Sequence, residues 1–206
     1  MATQWCTCLR SIAIAPTIAL WCLAPGGCAA KPYQPRQPIA LQSVPIQYNF
    51  SKTHATFCID DEQWQAVQAL FQPPAATARD ERVAIAAAVC EISRIAGLHT
   101  PTHRDLARNR ANPLGDGAMD CRDESANTTT YLALLNQHQL LVWHQVMQRT
   151  FRGPLQLDSH WSALIRDRTD GQLYVVDPWY LDHGHPPRIQ RLEHWLRKEP
   201  APATMP

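Results

Sequence analysis

Three residues that can perform nucleophilic catalysis lie in the second half of the chain, in the order Cys121, His160, Asp177. A cysteine thiolate attacks carbonyl carbon, a histidine carries the proton, and a carboxylate fixes the tautomer of the imidazole ring. The three residues are far apart in sequence. Whether they form a site therefore depends on the elements that carry them.

Cys121 is predicted at the first position of a helix. Asp120 is a favourable N-cap residue, Asp123 occupies the acidic third position, and the helix is predicted to run to about Leu135. Unpaired N–H groups at a helix start favour a thiolate and can donate to an oxyanion. Arg122 adds positive charge beside the thiol, but the nearby carboxylates oppose it. We therefore expect a histidine nearby as a further cation.

His160 and Asp177 are predicted on adjacent antiparallel strands. The segment 160–167 begins with the histidine, the segment 172–177 ends at the aspartate, and the polar segment 168–171 is predicted to form the turn between them. On adjacent strands an imidazole and a carboxylate can share a face and form a hydrogen bond. The carboxylate would then support the protonated ring.

The length of this turn decides whether His160 and Asp177 meet. A two-residue loop would separate them by roughly 13 Å along the strands, at ~3.3 Å per residue. A four-residue loop places Asp177 opposite Ser162, diagonal to His160 and within side-chain reach. A three-residue loop puts them on opposite faces unless a bulge restores the phase. The hypothesis therefore requires the four-residue loop or a bulge.

Other elements are predicted from apolar spacing. Helices are expected over 60–71, with Asp60 or Asp61 as the cap, and over 79–96, with Gly97 as the stop residue. A further strand is expected over 140–147. The predicted fold class is α+β, with helices packed on a small antiparallel sheet.

The motifs resemble a known superfamily. The run Met119-Asp-Cys121-Arg-Asp-Glu-Ser-Ala-Asn-Thr-Thr-Thr-Tyr-Leu resembles the cysteine helix of the transglutaminase-like superfamily, and HWSALIRDRTDGQLYVVDPW is similar to its histidine strand, turn and Asp-Pro strand. The matching region is about 115–180. The chain also looks like a member of an uncharacterised group of proteobacterial exported proteins that carry a Cys-x-Asp-Glu-Ser-x-Asn-Thr-Thr-Thr-Tyr run.

The resemblance implies a papain-like core and acyl transfer through a thioester. Cys121 would attack an amide of a peptide, protein or cell-wall substrate, His160 would shuttle the proton, and Asp177 would orient His160. The resemblance calls for no cofactor. Water as acceptor gives a peptidase or amidase, and an amine as acceptor gives a cross-linking enzyme.

Aromatic residues flank the predicted site. Trp161 and Trp179 are predicted core or rim aromatics, and a substrate-binding wall is the alternative interpretation. Two further hypotheses leave out catalysis. In one, the same fold is a binding module for a peptide or wall fragment. In the other, the chain is a structural envelope protein and the apparent triad is a coincidence.

A metal site is the competing chemistry. His183, His185, Asp182 and Cys121 have side chains that can bind a metal, and together they would make a ligand set. The chain has no Cys-x-x-Cys or His-Glu-x-x-His spacing, so no metal is predicted. Asp123 and Glu124 are interpreted as a solvated or capping helix start.

The N-terminal segment 1–28 has the order of a secretory signal, with Arg10 before a short apolar run and small residues at its end. Cys28 follows those small residues as the lipidated cysteine does in a bacterial lipoprotein signal. We therefore predict a periplasmic protein, or one anchored to a membrane and facing the periplasm. The proline-rich segment 29–57 is interpreted as a tether.

Composition limits the remaining possibilities. The chain of 206 residues, with 45% hydrophobic and 18% charged residues, suits one domain, predicted over 58–198 with a disordered tail at 199–206. A net charge of +1 without a basic stripe argues against nucleic acid as a partner. Among the three cysteines after the signal, pairing of Cys58 with Cys90 is the preferred interpretation, which leaves Cys121 free.

Overall fold

The computed structural model describes residues 30–109, 116–153 and 159–201. The predicted signal and the proposed lipidation at Cys28 lie outside these residues. No helix in the described ranges is long and apolar enough to cross a membrane.

The fold is mixed α and β, with two small antiparallel sheets. Its elements are, in chain order, β1 (Val44–Tyr48), β2 (Thr53–Phe57), α1 (Asp61–Ala69), α2 (Ala78–His99), α3 (Cys121–Gln137), β3 (His144–Arg152), β4 (His160–Asp167), β5 (Leu173–Asp177), β6 (Arg188–Arg191) and α4 (Leu192–Leu196). Strands β1 and β2 form a hairpin, and the larger sheet has the order β3-β4-β5-β6. The coarse α+β prediction is confirmed.

The register of β4 and β5 is the one that the four-residue loop requires. Ala163 pairs with Val176, and the N–H of Asp167 donates to the carbonyl of Gln172 at 2.8 Å. The loop is therefore 168–171. Continuing the ladder by one pair places the last residue of β5 opposite Ser162, as predicted.

Helix α3 packs against the larger sheet and against β1. Its apolar side chains, which include the fully buried Leu132 and Leu135, form one core with Ile165 of β4 and Val176 of β5. A second, smaller apolar cluster joins Met147, Leu164, Val175 and Trp195. Burial of these side chains fixes α3 against the strands that carry the candidate histidine and aspartate.

The tether prediction for 29–57 is wrong for most of that segment. Val44 and Ile46 alternate with outward residues along β1 and are buried, and Phe57 at the end of β2 is buried as well. Asn127 of α3 holds the hairpin by bonding both the N–H and the carbonyl of Gln47. The prolines obscured a period-two pattern that predicts a half-buried strand.

The stop predicted at Gly97 is also wrong. Helix α2 continues to His99 and is followed by Thr100 as the C-cap. A Cβ atom at Gly97 would lie 2.6 Å from Nε2 of His183. The glycine therefore permits the close approach of that histidine.

The other helix starts follow their caps. Asp60 caps α1 with a complete capping box that includes Gln63, and Thr77 caps α2. The strand predicted over 140–147 begins later, at His144. Strand β6 and helix α4 were not predicted. Most of the predicted tail, residues 202–206, lies outside the described residues.

The predicted pairing of Cys58 with Cys90 is not present. Both cysteines are free, and Cys58 is exposed. The Cys90 thiol donates to the carbonyl of Gly184 at 3.1 Å, and burial raises its pKa. Cys90 therefore helps to pack α2 against the turn 183–185.

Candidate active site

Cys121 is the first residue of α3, as predicted, and is partly exposed. The Asp120 carboxylate caps the helix by accepting from the N–H groups of Arg122 at 2.9 Å and Asp123 at 3.0 Å. These two N–H groups are therefore satisfied within the protein. The amide N–H of Cys121, the first residue of α3, is a further helix-start donor and can donate to the oxyanion of a carbonyl group that the sulfur attacks.

The carboxylates that follow the cysteine are buried, so their interpretation as a solvated or capping helix start is wrong. Asp123 bonds the hairpin instead of the cap, since its carboxylate accepts from Gln47 Nε2 at 2.9 Å and from the hydroxyl of Ser51 at 2.8 Å. Glu124 points into the interior. The helix start is thus fixed by contacts across to β1 and its turn.

His160 and Asp177 form a buried pair. Nε2 of His160 lies 2.7 Å from Oδ2 of Asp177, and the two residues are 2% exposed. The indole N–H of Trp195 donates to the same carboxylate oxygen at 2.9 Å. This carboxylate is thus held by α4 as well as by the ring that it orients.

The structure also places His160 near enough to Cys121 for the two groups to affect each other's charge. Burial disfavours the imidazolium, but the hydrogen bond to Asp177, the interaction with Cys121 and the charges of both groups outweigh it and raise the pKa of His160 to about 9. Nδ1 has no hydrogen-bond partner among the described residues. Because Nε2 bonds Asp177, Nδ1 is the ring nitrogen left for the thiol. One imidazole therefore stands between the sulfur and the carboxylate.

Three aromatic rings enclose the imidazole. Centroid distances from His160 are 4.6 Å to Trp179, 5.4 Å to Tyr180 and 5.6 Å to Trp195. Trp179 is 7% exposed, and its indole N–H donates to the carbonyl of Asn109 at 3.2 Å. It is the predicted core aromatic, and it positions the ring instead of forming an exposed wall.

Trp161 has a different environment. It is partly exposed and packs on Phe151 at a centroid distance of 5.0 Å, with the guanidinium of Arg149 5.2 Å from its ring. Arg149 also donates to the carbonyl of Arg122 at 3.0 Å. This aromatic pair therefore adjoins the start of α3. A substrate-binding role for Trp161 stays a prediction.

A buried pair of carboxyl groups lies behind the nucleophile, and sequence reasoning missed it. Burial, followed by the charge of Asp105, raises the pKa of Glu124 well above its usual range, and burial raises the pKa of Asp105 to about 6. The two side chains share a hydrogen bond, and Asp105 also accepts from the N–H of Met119 at 2.7 Å. The spacing of Glu124 three residues after Cys121 was the available signal, since it marks an adjacent helix position.

No group of three or more possible metal ligands occurs in the part of the chain that the structure describes. His183 packs against α2 and lies 3.4 Å from the hydroxyl of Ser93. Burial and the nearby His103 lower the pKa of His183 to about 4, so its ring is neutral at ordinary pH. The turn that carries His183 and His185 is accounted for by packing.

No protein-family model, curated protein or solved structure matches this chain. The geometry of the site therefore carries the functional conclusion. A partly exposed thiol at a helix start, near an imidazole that a buried carboxylate orients, can support nucleophilic catalysis by cysteine.

Proposed function

We propose that the protein is an exported transglutaminase-like cysteine enzyme that acts on amide bonds through a thioester. The single observation that supports this proposal most is the position of His160, whose ring interacts with Cys121 on one side and bonds Asp177 at 2.7 Å on the other. This is the arrangement of a nucleophile, its proton carrier and the group that orients the carrier.

The charge state of the ring fits this chemistry. With a pKa of about 9, His160 is an imidazolium at neutral pH and stabilises a thiolate at Cys121. The sulfur attacks the amide carbonyl, and the N–H of Cys121 is placed to donate to the resulting oxyanion. His160 then gives its proton to the leaving amine as the carbon–nitrogen bond breaks, which leaves a thioester on Cys121.

The second half of the reaction reverses these roles. The now neutral His160 takes a proton from the acceptor, and the acceptor oxygen or nitrogen attacks the thioester carbonyl. The Cys121 thiolate leaves, and the imidazolium is restored. Water yields a peptidase or amidase, and a primary amine yields a transferase. Asp177, held by Trp195, keeps Nδ1 directed at the sulfur throughout.

The proposed substrate is a peptide, protein or cell-wall amide outside the cytoplasm. The order of charge, apolar run and small residues in segment 1–28 supports export, and Cys28 supports a lipid anchor. The partly exposed aromatic pair Trp161 and Phe151 beside the start of α3 supports contact with an extended substrate.

A small activated ester tests this proposal without knowledge of the substrate. Incubation with p-nitrophenyl acetate, acid quench and peptide mass mapping should show an acetyl group on Cys121. Release of nitrophenolate should fall by about 10²–10⁴-fold in His160→Ala, and Asp177→Asn should also lower it. Addition of putrescine distinguishes transfer from hydrolysis by the appearance of acetylated amine.

Cys58 is the matched control, since it is a free, exposed cysteine of the same chain. The Cys58→Ser variant should react like the wild type, whereas Cys121→Ser should lose acetylation at this position and nearly all turnover. Acetylation of Cys121 and Cys58 to equal extents, unchanged in His160→Ala, would favour a non-catalytic binding module.

A further inference from the structure

A cavity of about 330 Å³ lies beside the Asp177 carboxylate. Trp179, Tyr180 and Trp195, the aromatic residues around the imidazole, all contribute to its wall. Neither Cys121 nor His160 lines it. The cavity is therefore separate from the thiol face of the candidate active site, although it shares the carboxylate.

Positive side chains dominate the wall of this cavity. The cationic residues that line it are Arg108, Arg152, Arg188 and Lys198. The two acidic residues of the wall are engaged with cations outside it, because Asp177 bonds His160 and Glu199 lies 2.6 Å from both Arg197 and His194. The charge that faces the cavity is therefore positive.

Three guanidinium groups gather around a single ring. Those of Arg108 and Arg188 lie 5.4 Å and 4.8 Å from the centroid of Tyr180, and Arg152 donates to the Tyr180 hydroxyl at 2.6 Å. Within the described ranges, Arg108 and Arg188 contact this ring and form no ion pair with a carboxylate. Like charges held this closely repel each other, and a bound anion would relieve the repulsion.

We propose that this cavity is a binding site for a small oxyanion, a carboxylate or a phosphate. The arginines take the anionic oxygens, for which the planar guanidinium is suited. The volume of the cavity is at the lower end of ordinary small-molecule sites, which excludes a large ligand. This site stands independently of the proposed reaction, because its evidence does not involve Cys121.

Two probes test the site, inorganic phosphate for the phosphate class and free glutamate for the carboxylate class. Each is titrated into the full chain at constant ionic strength, with sodium chloride as the reference, and binding is followed by ¹H–¹⁵N spectra. The indole N–H of Trp195 should shift saturably with at least one probe. That of Trp143, which bonds the Ala75 carbonyl away from the cavity, should not shift.

The variants Arg108→Gln and Arg188→Gln should each weaken binding about tenfold, the expected loss for one charge-assisted contact. Arg36→Gln, at an exposed arginine outside the cavity, is the matched control and should bind normally. A response to phosphate alone or to glutamate alone identifies the class of ligand. The proposal is overturned if neither probe exceeds chloride, or if both cavity variants bind as the wild type does.

Discussion

Replacement of Glu124 by glutamine should change how the stability of the fold depends on pH. In the wild type, burial raises the pKa of Asp105 to about 6 and raises that of Glu124 well above its usual range. Both groups therefore bind a proton more strongly in the folded chain than in the unfolded chain. Their contribution to stability is fully present below pH ~4 and is lost as pH rises through the folded-state pKa values.

The size of the effect follows from the pKa of Asp105. A value of about 6 in place of 3.8 corresponds to about 3 kcal/mol between acid and neutral pH for this group. The raised pKa of Glu124 extends this loss of stability to higher pH. The glutamine of Glu124→Gln keeps a donor for Asp105 but carries no charge. We therefore expect this variant to lose part of the pH dependence and to gain stability relative to the wild type at pH ~8.

Urea unfolding, followed by tryptophan fluorescence at several pH values between about 5 and 8, measures this difference. His160 also changes stability with pH, because its raised pKa contributes stability that is lost between about 6.5 and 9. The His160 contribution is the same in the wild type and in Glu124→Gln, so it cancels when their free energies of unfolding are subtracted. Glu62→Gln, at an exposed position of α1, is the matched control. Parallel curves for wild type and Glu124→Gln would refute the buried carboxyl pair.

Three further outcomes are expected. Gly97→Ala should lower the free energy of unfolding in urea melts by ~1–3 kcal/mol, because the alanine Cβ would lie 2.6 Å from Nε2 of His183. This loss is expected although alanine favours helices, and equal or greater stability of the variant would contradict the close approach. Trp195→Phe removes the indole N–H that donates to the triad carboxylate, so turnover of p-nitrophenyl acetate should fall about tenfold or more, and full activity would exclude a positioning role. Non-reducing peptide mapping should find Cys58 and Cys90 as free thiols, whereas a bridging peptide would contradict the structure.

The sequence predicted the elements nearest the candidate site well, for physical reasons. Asp120 identified the start of α3, because a carboxylate there satisfies N–H groups that have no helical partner. The polar turn 168–171 set the register of β4 and β5, because side chains alternate with a period of two and only certain loop lengths keep two residues on one face. These local rules placed His160 beside Asp177.

Features that depend on distant contacts were not predictable. Trp195 lies on a helix of five residues, too short for apolar periodicity to mark it, yet it bonds Asp177. The spacing of Glu124 places it next to Cys121 on α3, but its interaction with Asp105 joins two separate segments of the chain and is not visible in that spacing. Gly97 looks like a helix stop until the position of His183 is known. In each case the feature is set by tertiary contacts and not by local sequence preference.

The rate at which iodoacetamide alkylates Cys121, compared with Cys58 in the same chain, tests the central claim most directly. Peptide mass mapping follows both cysteines from about pH 5 to 9 in the wild type, in His160→Ala and in His160→Asn, with circular dichroism to verify folding. Because His160 keeps its proton up to a pKa of about 9, we predict that Cys121 reacts faster than Cys58 near pH 6. Both folded variants should lose that advantage while Cys58 is unchanged. Equal alkylation of Cys121 and Cys58 in the wild type, or an advantage that persists without His160, would contradict a catalytic thiol.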